Sequence, residues 1–230
     1  MDNPHVSQVG EFVGRAALAG IFTYVATNQT LAAIAFFQEA GEPRFLDLAT
    51  RLASIAFIVL VVGMTVMRLK PIRNAEGFEP RFSALAGTFL SLALVALPLA
   101  DIGTELSVAS LTLVATGWVL SACVLLWLGR AFSIMAQARR LVTTGPYAIV
   151  RHPLYLCEEI AVIGIALTHL SIAAVLIVIA QWLFQLRRMT NEEKVLGAAF
   201  SEYAAYAAGT PKIIPGVFRA RKTTPIAAQK

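Results

Sequence analysis

The sequence has few charged residues, few cysteines and few histidines. Only 14% of its 230 residues are charged, and 57% are hydrophobic. A soluble domain carries about 25% charged residues, so this composition favours a membrane protein. The two cysteines, Cys123 and Cys157, lie in or beside apolar segments without ligand-like spacing, and the three histidines are scattered. These patterns predict neither a metal site nor a disulfide framework.

The excess of basic residues is modest. The formal net charge is +5 and the mean hydropathy is +0.70. In a membrane protein such an excess usually marks cytosolic loops, so no nucleic-acid partner is predicted. Residues 1–11 are polar and lack a basic stretch, so we expect no cleavable signal peptide. The length fits one structural domain.

Six apolar segments approach the roughly 20 residues that a membrane-spanning helix needs. Arg15, Asn28 and Gln29 interrupt the first segment, so whether it spans fully is left open. The pattern predicts an all-α fold, a polytopic membrane helix bundle of about six transmembrane helices. The segments are Phe12–Phe37, Leu48–Leu69, Phe82–Ala100, Leu106–Leu128, Leu154–His169 and Ile172–Leu186.

The residues after the sixth segment have a different character. Leu196, Phe200 and Tyr203 follow i, i+4, i+7 spacing, which predicts an amphipathic C-terminal helix over Arg187–Ala208. Three parts of the single domain are expected. They are N-terminal transmembrane helices (1–140), a cofactor-binding and catalytic region with a helical hairpin (141–216) and a flexible tail (217–230).

The basic residues are distributed unevenly between the loops. They concentrate in the second loop (68–81), in the fourth loop (130–151) and after residue 186. By the positive-inside rule these parts are cytosolic, and six spans then place both termini in the cytosol. The C-terminal amphipathic helix is therefore predicted on the same side as the fourth loop.

The stretch from Leu141 to Glu159 concentrates polar, charged and turn-forming residues. Gly145-Pro146 is a turn signal, and Pro153 favours a helix that begins there. The free N–H groups of a helix start favour an anion, whereas carboxylates at a membrane helix need a cation or water. Glu158 and Glu159 supply such carboxylates. A ligand with both charges, such as S-adenosylmethionine, suits this arrangement.

Each of these residues also has a purely structural interpretation. Arg151-His152-Pro153 alone is typical of a solvated turn beside the membrane, and Tyr155 alone is typical of an interfacial anchor. Arg188 and Glu192 alone would form an ordinary helix ion pair.

Two separated motifs together resemble a known family. The pattern G-P-Y-x-x-V-R-H-P-x-Y-x-x-E covers Gly145–Glu158, and R-x-x-x-E-E-x-x-L-x-x-x-F-x-x-Y-x-x-Y covers Arg188–Tyr206. They resemble the isoprenylcysteine carboxyl methyltransferase family, and phospholipid methyltransferases share a related pattern. The resemblance covers about the last 90 residues. Cys157, Ser201 and Ala148 depart from the pattern, and a side chain at Cys157 would narrow the approach of a cofactor.

The resemblance implies an integral-membrane methyltransferase that uses S-adenosylmethionine and acts on a lipophilic acceptor. It implies catalytic or acceptor-orienting roles for Arg188 and Glu192. The implied cofactor-binding residues are Leu141, Val142, Gly145, Tyr147, His152, Tyr155, Glu158 and Glu193. No metal ligand is implied. The expected partners are membrane lipids and the acceptor, and the expected location is the bacterial inner membrane, with the active site facing the cytosol.

Two alternatives and the identity of the acceptor stay open at this point. The chain could instead be a membrane reductase of lipid substrates that uses NADPH, or a non-enzymatic membrane subunit. The acceptor group could be an isoprenylcysteine-like carboxylate, a phospholipid amine or a lipidic phenol. A carboxylate needs only orientation and desolvation, whereas an amine or phenol needs a proton acceptor, a role that Glu192 can fill.

Overall fold

The computed structural model describes residues 4–39 and 45–215 of the chain. Residues 40–44 of the first polar link and the predicted flexible tail, 217–230, lie outside this part. The described residues form eight α-helices, two short 3₁₀ helices (Leu90–Ala96 and Gly129–Ala131) and one two-residue strand pair. The α-helices are α1 (Pro4–Glu39), α2 (Phe45–Met67), α3 (Glu79–Phe89), α4 (Gly103–Leu128), α5 (Pro146–Ile149), α6 (Pro153–Thr168), α7 (Ile172–Ala199) and α8 (Tyr203–Gly209).

Four helical stretches are long and apolar enough to cross a membrane. They are Gly10–Gln38, Phe45–Met67, Gly103–Ala131 and Ile172–Ala199. A predominantly α-helical membrane protein, as the sequence predicts, is consistent with this architecture.

The third predicted segment is not one continuous α-helix. Helix α3 ends at Phe89, and the chain continues as a 3₁₀ helix to Ala96. Leu97 is extended, with φ −81° and ψ 153°. A residue before proline avoids helical geometry, so Pro98 explains why helical structure stops short of the predicted end at Ala100.

The boundary predicted between the sixth segment and the C-terminal helix is wrong. Helix α7 continues through Leu186 and Arg187 without a break and ends at Ala199. Phe200 is extended, and the short helix α8 begins at Tyr203. The predicted amphipathic helix over Arg187–Ala208 is therefore divided between the second half of α7 and α8. Residue spacing alone does not show where one helix ends and the next begins, so the sequence pattern predicted one helix where the structure has two.

Small residues bring α4 and α6 into close contact. A Cβ on Gly117 would overlap the backbone of Ala161, and a Cβ on Gly164 would lie 2.8 Å from the carbonyl oxygen of Ser110. The Ser110 hydroxyl donates a hydrogen bond to the Gly164 carbonyl at 2.7 Å. This close packing fixes the position of α6, whose first residues belong to the candidate site.

The basic loops meet at one end of the helix bundle. Strand β1 (Arg73–Asn74) pairs antiparallel with β2 (Gln137–Ala138). The Arg73 guanidinium also donates a hydrogen bond to the carbonyl of Ala198 at 3.3 Å. The second loop, the fourth loop and the C-terminal end of α7 therefore share one end of the molecule, as the sequence predicts.

Candidate cofactor site between the two motifs

The predicted start of α6 is confirmed. Pro153 is the first residue of the helix, and His152 before it has non-helical geometry, with φ −126° and ψ 58°. Two backbone hydrogen bonds fix this turn to the segment after α8. Arg151 donates to the Pro211 carbonyl at 2.9 Å, and His152 donates to the Lys212 carbonyl at 3.1 Å. The first motif thus lies directly against the end of the second.

Glu193 joins α7 to this turn through three cationic or imidazole groups. Its Oε1 atom lies 3.0 Å from both Arg151 Nε and His152 Nε2. Its Oε2 atom lies 3.4 Å from Lys212 Nζ. Arg151 also donates to the carbonyls of Ala207 and Thr210 at 2.7 and 2.6 Å. These contacts hold α6, α7 and the segment around α8 in one arrangement.

Arg188 and Glu192 lie next to the ring of Tyr155. The Tyr155 hydroxyl donates a hydrogen bond to Glu192 Oε1. The Arg188 guanidinium carbon lies 4.6 Å from the centre of the Tyr155 ring, and Arg188 Nε lies 3.3 Å from the same Glu192 oxygen. Both residues predicted to be catalytic are thereby coupled to a predicted cofactor residue.

The Arg188 side chain is buried and held from several sides. Its NH1 group donates to Thr88 Oγ1 at 3.1 Å and to Gln185 Oε1 at 3.4 Å. Its NH2 group donates to the Ser133 carbonyl at 3.4 Å. The Nε–H group forms no hydrogen bond with the described residues, because its approach to Glu192 lacks hydrogen-bond geometry. The guanidinium is therefore fixed in place, with its Nε atom paired with Glu192.

A cavity of about 90 Å³ lies between the two motifs. We call it the tyrosine cavity, because four tyrosines contribute to its wall. Those tyrosines are Tyr147, Tyr155, Tyr203 and Tyr206. Glu192 adds a carboxylate, and the loop before α5 adds Leu141 and Val142. Aromatic faces beside a carboxylate are a favourable environment for an organic cation.

The phenols that flank the cavity stay neutral near pH 7. Burial raises the pKa of Tyr206 to about 12, and nearby Glu193 adds to the rise. Burial also raises the pKa of Tyr147 well above its usual range, and the charge of Glu192 adds to the rise. Neutral phenols present ring faces and hydrogen-bond donors to a ligand. Two such donors are already used, since the Tyr206 hydroxyl donates to the Tyr147 carbonyl at 2.7 Å and the Tyr155 hydroxyl donates to Glu192.

Gly145 allows the loop to approach α4 closely. It has a positive φ of 60°, and a Cβ there would overlap the indole of Trp127. A glycine is needed for both reasons. Gly145 therefore shapes the loop that carries Val142 and Tyr147 to the cavity, although it does not line the cavity itself.

The structure brings five of the predicted cofactor residues to the tyrosine cavity and leaves three beside it. The five that line it are Leu141, Val142, Tyr147, His152 and Tyr155. Gly145, Glu158 and Glu193 lie outside its wall, where Glu158 Oε2 accepts a hydrogen bond from Gln185 Nε2 at 3.3 Å. Cys157, which departs from the family pattern, packs in the hydrophobic core and does not line the cavity.

Sequence reasoning missed several residues of this site. Tyr203 and Tyr206 were noted only as part of a pattern, yet both line the cavity, as does Arg151. The available signal was membership of the motifs, the second for the two tyrosines and the first for Arg151. Within the described ranges, no group of three or more His, Cys, Asp or Glu side chains could hold a metal ion.

The fold and the site define a helical, membrane-type protein whose two motifs border a small cavity lined by aromatic, apolar and charged side chains. Residues 109–198 match the model of the isoprenylcysteine carboxyl methyltransferase (ICMT) family. The match includes the whole of α6 and α7 up to Ala198. The family resemblance seen in the sequence is therefore confirmed.

Three curated relatives share about a third of the aligned residues. The nickel-cobalt-cadmium resistance protein NccN of Alcaligenes xylosoxydans xylosoxydans is 32% identical over 123 residues, 52% of this chain and 57% of that protein. The cobalt-zinc-cadmium resistance protein CzcN of Cupriavidus metallidurans is 34% identical over 114 residues, 49% and 52% of the two chains. Protein-S-isoprenylcysteine O-methyltransferase B of Arabidopsis thaliana is 32% identical over 114 residues, 46% and 58%. The chain thus spans between 52% and 58% of the lengths of these relatives.

Proposed function

We propose that this chain is an integral-membrane methyltransferase that uses S-adenosylmethionine and methylates a lipophilic acceptor. The observation that carries the proposal is the tyrosine cavity, where both family motifs meet around Glu192. The ICMT family match and the plant relative, which is named as an isoprenylcysteine O-methyltransferase, support this reaction class.

The lining of the cavity fits the chemistry of the cofactor. A sulfonium or ammonium group is favoured near tyrosine faces and a carboxylate, which Tyr155 and Glu192 supply. The carboxylate of the cofactor suits the basic part of the lining, which consists of Arg139, Arg140 and Arg151. Leu141 and Val142 offer apolar contacts and backbone groups to the less polar part of the cofactor. When bound, S-adenosylmethionine would supply an electrophilic methyl group. At about 90 Å³ the cavity holds about three water molecules, so it must widen to admit the whole cofactor.

We assign Glu192 and Arg188 to the catalytic step. Glu192 lines the cavity and receives the Tyr155 hydroxyl, so it can contact the cofactor or the acceptor. Arg188 lies behind it, outside the cavity wall, with Nε 3.3 Å from the Glu192 carboxylate. A guanidinium can hold a carboxylate in a two-point contact that lysine cannot provide. For an amine or phenol acceptor, Glu192 would instead accept the proton.

We further propose six membrane crossings with the site on the cytosolic side of a bacterial inner membrane. The four long apolar helices account for four crossings. Helix α6, and α3 together with its 3₁₀ extension, account for the other two. The basic second and fourth loops share one end, joined by the β1–β2 pair, which favours that end as cytosolic. A lipophilic acceptor would then reach the site from the membrane.

Cofactor binding tests this proposal most simply. Purified full-length protein should bind S-adenosylmethionine saturably in calorimetry and should not bind NADPH. Binding of NADPH alone would favour a membrane reductase, and binding of neither cofactor would favour a non-enzymatic subunit. Either result would overturn the proposal.

A further inference from the structure

A second, much larger cavity opens beside the N-terminal helix. It has a volume of about 920 Å³ and lies between the start of α1, the loop after α2 and the residues before β2. We call it the basic cavity. Its volume falls within the range of small-molecule binding sites. Met135 and Gln137 line both cavities, so the basic cavity lies next to the tyrosine cavity.

The charged side chains that line the basic cavity are mostly cationic. Among the described residues, four basic side chains face it, and Glu11 is the single acidic one. The four are Arg15, Arg68, Lys70 and Arg81. The rest of the wall is largely apolar, with Phe12, Leu18 and Met135 among its members. A basic wall and an apolar wall together suit an anionic amphiphile.

The arginines around Glu11 are not neutralised by the described part of the chain. Glu11 Oε1 lies 2.9 Å from NH2 of Arg68 and from NH2 of Arg139, and 3.9 Å from NH2 of Arg15. One carboxylate therefore faces three guanidinium groups. The side chains of Arg68 and Arg139 are only 3% and 0% exposed. Buried charges of one sign are costly unless an opposite charge compensates them.

Several donors of these buried arginines have no partner. Arg68 Nε, and Nε and NH1 of Arg139, form no hydrogen bond with any described residue. Burial lowers the pKa of Arg139 although Glu11 opposes the shift, which reflects the cost of keeping this charge from water. Arginine stays protonated in proteins, so the cost is relieved by an anion and not by loss of a proton. Arg68 lines the basic cavity, whereas Arg139 lines the tyrosine cavity, so it is the Arg68 guanidinium that lies beside an anion bound in the basic cavity.

The position of the cavity identifies the source of that anion. Arg68 directly follows Met67, the last residue of an apolar helix long enough to cross a membrane. Arg15 donates to the Val66 carbonyl at 3.5 Å and belongs to another such helix. Basic residues at the end of spanning helices lie at the depth of lipid headgroups. We propose that the basic cavity binds the phosphate headgroup of an anionic membrane lipid, with Arg68 as its central contact and the apolar wall beside an acyl chain.

This proposal is independent of methyl transfer, and binding alone tests it. The purified full chain in neutral detergent is titrated with phosphatidylglycerol and, separately, with phosphatidylcholine of the same chain length, and bound lipid is measured by native mass spectrometry. Phosphatidylglycerol should bind at least tenfold more tightly. Each cation near a headgroup contributes about fivefold in affinity, so Arg68→Gln should weaken binding by roughly that factor or more.

A second variant keeps the test valid if Arg68→Gln fails to fold. Lys70 and Arg81 are exposed and form no hydrogen bond or ion pair with described residues, so replacing both with glutamine should leave the fold intact. Two cations at about fivefold each predict that the double variant loses about 25-fold in affinity for phosphatidylglycerol. Arg73→Gln is the matched control, because Arg73 lies in the same loop but does not line the cavity, and it should bind as the native chain does.

Three results would overturn the proposal. Equal affinity for the two lipids would remove the preference for an anionic headgroup. If Arg73→Gln lost as much affinity for phosphatidylglycerol as the cavity variants, the loss would reflect net charge in general and not the basic cavity. Displacement of phosphatidylglycerol by millimolar inorganic phosphate would show that the cavity binds free phosphate instead of a lipid.

Discussion

Replacing Arg188 with lysine separates a catalytic role from a structural one. The native guanidinium donates through NH1 to Thr88 and Gln185 and through NH2 to Ser133. A lysine keeps the charge but has one nitrogen, so it cannot reach all three acceptors. Losing two to three hydrogen bonds at about 1 kcal/mol each should lower the free energy of unfolding by about 2–3 kcal/mol.

The effect on the reaction should be larger than the effect on cofactor binding. If Arg188 orients the acceptor, its guanidinium acts mainly in the transition state. Turnover of Arg188→Lys should then fall about 10- to 100-fold, which raises the activation free energy by about 1.4–2.8 kcal/mol. Affinity for S-adenosylmethionine should change by less than about threefold, because the Arg188 side chain does not line the tyrosine cavity. Thermal unfolding in detergent, calorimetry and transfer of a labelled methyl group measure the three quantities.

The neighbouring arginine provides the control. Arg187 is 54% exposed and forms an ion pair with Glu79 at 2.8 Å. Exposed pairs contribute at most about 1 kcal/mol, so Arg187→Lys should leave stability and turnover nearly unchanged. The catalytic assignment of Arg188 is refuted if Arg188→Lys loses stability but keeps native turnover per folded molecule.

Three further predictions concern the cofactor, the acceptor and the topology. His152→Ala and Tyr155→Ala should each weaken binding of S-adenosylmethionine by about 1–3 kcal/mol in calorimetry, because both side chains line the cavity. Circular dichroism should be unchanged. If both variants keep the native affinity, this segment is not part of the cofactor site. Glu192→Gln should keep much of its turnover if the acceptor is a carboxylate and lose most of it if the acceptor is an amine or phenol, provided that calorimetry shows native cofactor affinity; loss of that affinity would mark Glu192 as a cofactor ligand instead. A tag at Asn74 and a reporter at the C terminus should be cytosolic, and a tag at Gly103 should be accessible only from outside. Finding the tags at Asn74 and Gly103 on the same side of the membrane would contradict six crossings.

The motifs around the site could be predicted because their information is local. Pro153 fixes a helix start by its own geometry, and the predicted start of α6 is confirmed. Arg188 and Glu192 are one helical turn apart on α7, as are Tyr203 and Tyr206 on α8, so the proximity within each pair was foreseeable. Their contact with the first motif followed from the loops sharing one side of the bundle.

Other features depend on long-range contacts or on helix ends. The spacing of Leu196, Phe200 and Tyr203 suggested one helix, but the chain leaves helical geometry at Phe200. The contact between Glu11 and Arg139 joins residues far apart in sequence, and no pattern in either segment predicts it. Hydropathy locates apolar stretches but does not distinguish an α-helix from the 3₁₀ helix over Leu90–Ala96.

Transfer of a labelled methyl group tests the central claim most directly. Membranes that contain the full chain are incubated with S-adenosylmethionine labelled in its methyl group, and the label is followed into material that organic solvent extracts. The proposed function predicts that native membranes accumulate labelled lipophilic product, that membranes lacking the protein do not, and that membranes with Arg188→Lys accumulate it much more slowly. The assay is run with total lipid from the source cells present and with folded protein confirmed in the membranes. If membranes with the native chain then accumulate no more label than membranes without it, the account is contradicted.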